Sequence, residues 1–166
     1  MRACFLDRDG VINFDKGYIR KKEDITLIGG AIDGLNSFID AGFQLFIVTN
    51  QSGVSRGLFS LDTAININNH LITLLRNRGI QIAAAVICPH NHGPVDSCNC
   101  RKPKPLMLTY LEIFYDIEMK DSLLIGDKKS DVLAGVFAGV GSQYQIKKNK
   151  TGELNRVFNH HMEKIR

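Results

Sequence analysis

Five short apolar runs, near residues 3 to 6, 43 to 48, 83 to 88, 122 to 125 and 140 to 146, recur along the chain with helix-like stretches between them. Runs of this length that lack polar alternation read as strands buried on both faces. Strands that alternate with helices give a mostly parallel sheet, because a parallel pair needs a crossover connection, usually helical, between its members. The pattern predicts an α/β fold with helices flanking the sheet. Ile32, Leu35, Phe38 and Ile39 share one helical face, which Gly42 can end. Ser60 can cap a helix carrying Leu61, Ala64, Ile65, Asn68, Leu71, Ile72 and Leu75, closed by Gly79. Leu108, Leu111, Ile113 and Phe114 predict a third helix from about Pro105, residues 131 to 138 a fourth, and residues 153 to 164 a last. These apolar faces are expected in the core.

Polar clusters close the apolar runs. After Ala3 to Leu6 comes Asp7-Arg8-Asp9-Gly10, after Val48 comes Thr49-Asn50-Gln51-Ser52-Gly53, and after Leu124 comes Ile125-Gly126-Asp127-Lys128. Arg101-Lys102-Pro103-Lys104 stands after a cysteine-rich loop. Open parallel sheets bind ligands at the carboxyl ends of their strands, so these four clusters can converge on one site. Asp7 and Asp9 alone read either as an acidic turn closed by Gly10 or as two carboxylates in one crevice. Anions that close repel unless a cation lies between them, which points to a hard divalent ion such as Mg2+. A metal beside a carboxylate nucleophile suits phosphoryl transfer.

The ordered set resembles the haloacid dehalogenase-like phosphohydrolase superfamily, over about residues 3 to 141. Within it, Asp-Arg-Asp-Gly, Thr-Asn-Gln-Ser-Gly-Val-Ser-Arg-Gly, Cys-Pro-His, Cys-Asn-Cys-Arg-Lys-Pro and Gly-Asp-Lys are similar to the D-glycero-D-manno-heptose-1,7-bisphosphate 7-phosphatases. The resemblance implies a Rossmann-like sheet, a phosphatase with an aspartyl-phosphate intermediate, and a phosphorylated sugar as substrate. It implies Asp7 as nucleophile, Asp9 as general acid and base, and Thr49 and Lys102 around the phosphoryl oxygens. Mg2+ would be held by Asp7, the carbonyl of Asp9, and Asp127. Substrate contacts would come from Asp15, Lys16, Gly17, Tyr18, Asn50, Gln51, Ser52, Arg101 and Lys128, with Arg101 gripping a second phosphate. Asp131 reads equally as a partner of Lys102 or the metal and as an acid at a helix N-terminus. Asp7 and Thr49 are 42 residues apart and Thr49 and Lys102 are 53 apart, intervals filled by the elements above, so the chain matches the capless members.

Cys88, His90, Cys98 and Cys100 offer three thiols and an imidazole in two short pairs, the donor set of a tetrahedral zinc site. Disulfides are the rival reading, disfavoured in a cytoplasmic chain. Four protein ligands leave no place for water, so such a zinc is structural. His90 matches the family's Cys-x-His pair, and His92 is also within reach. Arg101 and Lys102 follow the last ligand directly, so the metal would hold the backbone that aims both cations. The loop is shorter than in the heptose bisphosphatases and nearer that of the related histidinol-phosphate phosphatases. Ser52 to Gly57 pulls the other way, since the histidinol enzymes usually carry an acid in place of the serine.

At 166 residues the chain is expected to form one domain, 1 to 166. It has no apolar stretch of about 18 residues that could cross a membrane and no signal-peptide layout near Arg2, so a cytoplasmic location is the expectation. A formal charge of +4, spread along the chain and without a basic aromatic groove, favours small anionic substrates over nucleic acid. Lys147, Lys148 and Lys150 read as a solvated turn. A monomer is expected. A histidinol-phosphate phosphatase and a catalytically silent zinc-stabilised binding module stand as alternatives, the second disfavoured because a pure binder does not need both Asp7 and Asp9.

Overall fold

The computed structural model describes residues 1 to 91 and 98 to 165. All five apolar runs become strands: β1 (Ala3–Leu6), β2 (Gln44–Asn50), β3 (Ile82–Cys88), β4 (Leu123–Gly126) and β5 (Ser142–Gln145). They form one sheet in the order β3-β2-β1-β4-β5, and every neighbouring pair is parallel. Between and after them run α1 (Ala31–Asp40), α2 (Leu61–Arg76), α3 (Leu106–Tyr115), α4 (Lys129–Phe137) and α5 (Glu153–Lys164). Single 3-10 turns lie at Lys22–Asp24 and Met119–Asp121.

Strand side chains alternate between two cores. Cys4 and Leu6 of β1 pack with Leu35 and Phe38 of α1, Leu71 and Leu75 of α2, and Leu154 and Val157 of α5. Ala3 and Phe5 point the other way, onto Met107, Leu108 and Leu111 of α3 and Ala134 of α4. Both faces of the central strands are covered, which explains why β1, β2 and β4 read as apolar runs, whereas β5, Ser-Gln-Tyr-Gln at the sheet edge, is partly exposed. From β1 the chain winds outward through β2 to β3, then returns to place β4 on the other side of β1. The crevice for a ligand therefore opens beyond the carboxyl ends of β1, β2 and β4.

Helix boundaries follow the local signals. Ser60 Oγ accepts the Thr63 N–H at 3.1 Å, capping α2. Gly42, in the left-handed region at φ 83°, ends α1. Four expectations need correction. Ile113 and Phe114 are 84% and 69% exposed, while Met107, Leu108 and Leu111 form the stripe of α3 that meets the sheet. At about 100° per residue Ile113 falls on the far side of α3 from that stripe, while Phe114 lies at its edge in the last turn. Leu61 and Ile65 of α2 are likewise exposed, while Ile67 is buried in their place. Thr49 and Asn50 belong to β2 itself rather than following it, and α4 begins two residues before Asp131. Among the described residues no helix is long and apolar enough to cross a membrane.

Candidate active site

Lys102 stands at the centre of the crevice although its sequence position is far from either strand end it serves. Its ammonium is 2.9 Å from Asp7 Oδ1 and 2.7 Å from Asp131 Oδ1, and it donates to the Val48 carbonyl at 2.7 Å. Only 2% of the residue is exposed. Burial alone would favour the neutral amine, but the two carboxylates outweigh it and hold the ammonium above its ordinary pKa. Asp131 does both things the sequence left open. Its second oxygen accepts the Lys128 N–H at 2.9 Å, capping α4. That approach needs Gly126, where a Cβ would lie 2.2 Å from the Asp131 Cβ.

Asp7, Asp127 and Asp131 each place a carboxylate oxygen within 4.8 Å of the others. Lys102 and the Lys128 N–H take both oxygens of Asp131, so Asp7 and Asp127 are the acids left to hold a cation. Asp127 Oδ1 is buried and accepts no hydrogen bond, and its nearest cation, Lys128 Nζ, is 3.7 Å away. Burial, then the Asp7 charge, pushes the Asp127 carboxyl up to about 6. A buried, unpartnered oxygen facing a second carboxylate is the environment a hard divalent ion relieves. The donor set therefore fits Mg2+.

Asp9 is held on both oxygens. Arg8 donates from Nε to Oδ1 at 3.1 Å and from Nη2 to Oδ2 at 2.7 Å, while Asn13 and Gln51 add bonds of 2.9 and 2.8 Å. Arg8 is 1% exposed and is anchored from α2 by Asn68 Oδ1 at 2.7 Å. Gln51 Nε2 also reaches Thr49 Oγ at 2.9 Å, tying the ends of β1 and β2 together. The roles of Arg8, Asn13 and Asn68 escaped the sequence reading. The signal available was a polar Asn68 on an otherwise apolar helical face.

A cleft of ≈ 180 Å3 joins these groups, lined among others by Asp7, Asp9, Thr49, Gln51, Lys102 and Asp131. Asp15, Gly17, Tyr18, Asn50, Ser52, Arg101 and Lys128 also line it, with Ser130, which the sequence reading did not single out. Lys16 does not: its ammonium turns away to the Asp24 carbonyl and Thr26 Oγ, both at 3.0 Å. Asn50 faces the cleft yet spends its amide on Lys102, accepting its N–H at 3.1 Å and donating to its carbonyl at 3.2 Å. Arg101 donates to the His90 carbonyl at 2.9 Å, and its Nε is buried without a partner.

At the end of β3 the four zinc-type donors come together. Cys88 Sγ lies 3.6 Å from His90 Nδ1, 3.8 Å from Cys98 Sγ and 3.1 Å from Cys100 Sγ, and His90 Nδ1 lies 3.3 Å from Cys100 Sγ. Donors bonded tetrahedrally to one zinc at ordinary lengths stand about 3.5 to 3.8 Å apart. The cluster fits that ion, and all three thiols are free. Burial first, then the contact with Cys100, raises the Cys88 thiol above its ordinary range, a cost that a cation bound by the thiolate would offset. His92 lies outside the described residues. Lys104 ties the loop from below, donating to the Cys98 carbonyl at 2.6 Å.

Comparison with known proteins agrees with this geometry. Residues 99 to 148 match a family model described as "HAD-hyrolase-like". A D-glycero-beta-D-manno-heptose-1,7-bisphosphate 7-phosphatase of Vibrio cholerae is 37% identical over 153 residues, covering 89% of this chain and 82% of that protein. A D-glycero-alpha-D-manno-heptose-1,7-bisphosphate 7-phosphatase of Campylobacter jejuni is also 37% identical, over 95% of this chain and 90% of its own. The crystal structure of D,D-heptose 1,7-bisphosphate phosphatase from B. bronchiseptica, complexed with magnesium and phosphate, superposes with a TM-score of 0.83 at 27% identity, covering 99% of both chains.

Proposed function

The chain belongs to the D-glycero-D-manno-heptose-1,7-bisphosphate 7-phosphatase family of haloacid dehalogenase-like hydrolases, and from that premise we propose that it removes the 7-phosphate of a heptose 1,7-bisphosphate. The observation that carries the reading is the buried Lys102 ammonium held between Asp7 and Asp131, beside the unpartnered oxygen of Asp127. A pure binding module has no use for that concentration of charge. An anionic phosphate entering here meets Lys102 and a hydroxyl from Thr49.

Asp7 attacks phosphorus in line, the bond to the leaving alkoxide breaks, and an aspartyl-phosphate forms. Asp9 donates a proton to the alkoxide oxygen, then takes one from the water that cleaves the intermediate to inorganic phosphate and free Asp7. Arg8, Asn13 and Gln51 orient its carboxylate beside the cleft for both transfers. Lys102 and Thr49 stabilise the equatorial oxygens, with their dipoles and charge in place before reaction. Mg2+, held by Asp7, the carbonyl of Asp9, and Asp127, would offset the negative charge that otherwise keeps two anions apart. Zn2+ on Cys88, His90, Cys98 and Cys100 would shape the backbone that presents Arg101. Arg101, which lines the cleft, is suited to the phosphate that does not react.

Phosphate release from both anomers of heptose 1,7-bisphosphate, fructose 1,6-bisphosphate and histidinol phosphate, at equal enzyme with Mg2+, tests this reading. The heptose should give the highest kcat/KM. A larger value for histidinol phosphate would overturn it.

A further inference from the structure

The basic segment after β5 is more than a solvated turn. Asn149 accepts the Asp15 N–H at 2.7 Å and donates to the Asp15 carbonyl at 3.1 Å, so one side-chain amide holds both backbone groups of a residue 134 positions away. Lys148 Nζ lies 2.6 Å from Asp15 Oδ2, and Asp15 Oδ1 accepts the Gly17 N–H at 2.8 Å. The Asn149 backbone N–H also donates to the Gly10 carbonyl at 3.1 Å, linking this segment to the turn that follows Asp9. Its own φ is 60°, a left-handed conformation that asparagine tolerates better than most residues. From the other side Glu153 of α5 takes the Lys147 N–H at 3.2 Å and the Lys150 ammonium at 3.1 Å.

Asp15, Gly17 and Tyr18 line the cleft but belong to no helix or strand. Where loops rather than a lid supply selectivity, a loop that wanders gives little of it, because remote contacts help only if their geometry is held. We propose that Asn149 and Lys148 are positioning residues for substrate selectivity, which clamp the loop of residues 15 to 18 in the shape that receives the part of the substrate beyond the reacting phosphate. They act through Asp15. The inference rests on the reading that this loop touches substrate.

Asn149→Gly separates the clamp from the fold, since glycine accepts the left-handed backbone and keeps its N–H to Gly10 while the side-chain amide is lost. Its kcat/KM ratio for heptose 1,7-bisphosphate over p-nitrophenyl phosphate should fall about tenfold, mostly through KM for the bisphosphate, as expected for two lost hydrogen bonds. Lys148→Met should lower the same ratio by a smaller factor, and Lys148→Arg should restore it by renewing the ion pair with Asp15. Tyr18→Ala tests the premise separately. If it impairs the bisphosphate while Asn149→Gly leaves the ratio unchanged, or lowers both substrates equally, the clamp is overturned and the loop's role stands. If Tyr18→Ala leaves the bisphosphate kinetics untouched, the loop does not meet substrate and both readings fall together.

Discussion

Two asparagines do the same thing at opposite edges of one cleft. Asn50 binds the N–H and carbonyl of Lys102, and Asn149 binds the N–H and carbonyl of Asp15. In each case a side-chain amide stands in for a neighbouring strand, pairing with both backbone groups of one residue. Their settings differ. Asn50 ends β2, in register with Cys88 of β3, so the sheet fixes where it points. Asn149 sits in a left-handed loop after the last strand, secured by its own hydrogen bonds and, through Lys147, by Glu153 at the start of α5. In the proposed mechanism the first clamp serves a buried ammonium at the reacting phosphate, and the second a surface loop at the mouth. That reading sets the chemistry at the strand ends and selectivity on contacts between loops.

The largest effects should fall at the sheet end. Asp7→Asn should abolish turnover and trapping of an intermediate without unfolding the chain, because an amide is a poor nucleophile and a weak metal ligand. Residual turnover near wild type would remove Asp7 from the mechanism. Lys102→Ala should cost about a hundred- to a thousandfold in kcat on large and small esters alike, the scale for losing one preorganised donor to the transferred group. It also leaves Asp7 and Asp131 facing each other unpaired, so circular dichroism must show a native fold for the kinetics to count.

Zinc should support the Asn50 side and leave the Asn149 side alone, since Cys98 and Cys100 lead directly into Arg101 and Lys102. Protein purified without added metal should carry about one zinc per chain by elemental analysis. Cys98→Ser and Cys100→Ser should lose the metal and melt earlier, with kcat reduced on both substrates. Zinc-free protein with full activity and unchanged melting would show that the cluster shapes nothing. Asn50→Ala should be milder, lowering kcat about tenfold on both substrates through a displaced Lys102. If Asn50→Ala instead raised KM for the bisphosphate alone, the two clamps would be functionally alike and the contrast between them would dissolve.

The same contrast governs what the sequence makes legible. Asp7, Thr49 and Asp127 stand at strand ends, and a parallel sheet sends all such ends to one edge, so their convergence can be read from the apolar runs. Lys102 needed the family pattern, because no strand delivers it. The pairing of Arg8 with Asn68 went unread, Asn68 being taken only as part of a core-facing helix, since a buried arginine held by a helical asparagine has no periodic signature, only a polar residue where an apolar one fits the pattern. Asn149 went unread and Lys148 was read only as part of a solvated turn, for a stronger reason: their partner lies in a loop, 134 residues from Asn149, where no register relates one position to another. Ile113 and Phe114 show the limit on the apolar side. Period alone says that a stripe exists on α3, and only the packed sheet says which one it meets.

The smallest effect should come from Glu153, the anchor behind the outer clamp. Its carboxylate is buried at the first turn of α5, and its hydrogen bonds from Arg156, stronger than the opposing cost of burial, hold its pKa down at about 2 against an ordinary 4.5. A carboxyl whose pKa is lowered by folding adds stability above its unfolded value and loses it as pH falls toward the folded one. Arg156 and Lys150 are about half exposed, so solvent screens both pairs and the contribution should be modest, about 1 kcal/mol or less. Glu153→Gln should therefore unfold slightly earlier than wild type in urea at pH 7, with the gap narrowing between about pH 4.5 and pH 2 as the wild-type carboxylate takes up its proton. The same variant should raise KM for the bisphosphate by less than Asn149→Gly does, because it loosens the segment of residues 147 to 150 while leaving the amide clamp on Asp15 in place. A stability gap that stays constant with pH would show that the charge of Glu153 contributes nothing. The segment would then be held by the Gly10 and Asp15 contacts and the Lys147 hydrogen bond to Glu153, and the outer clamp would have no electrostatic anchor behind it.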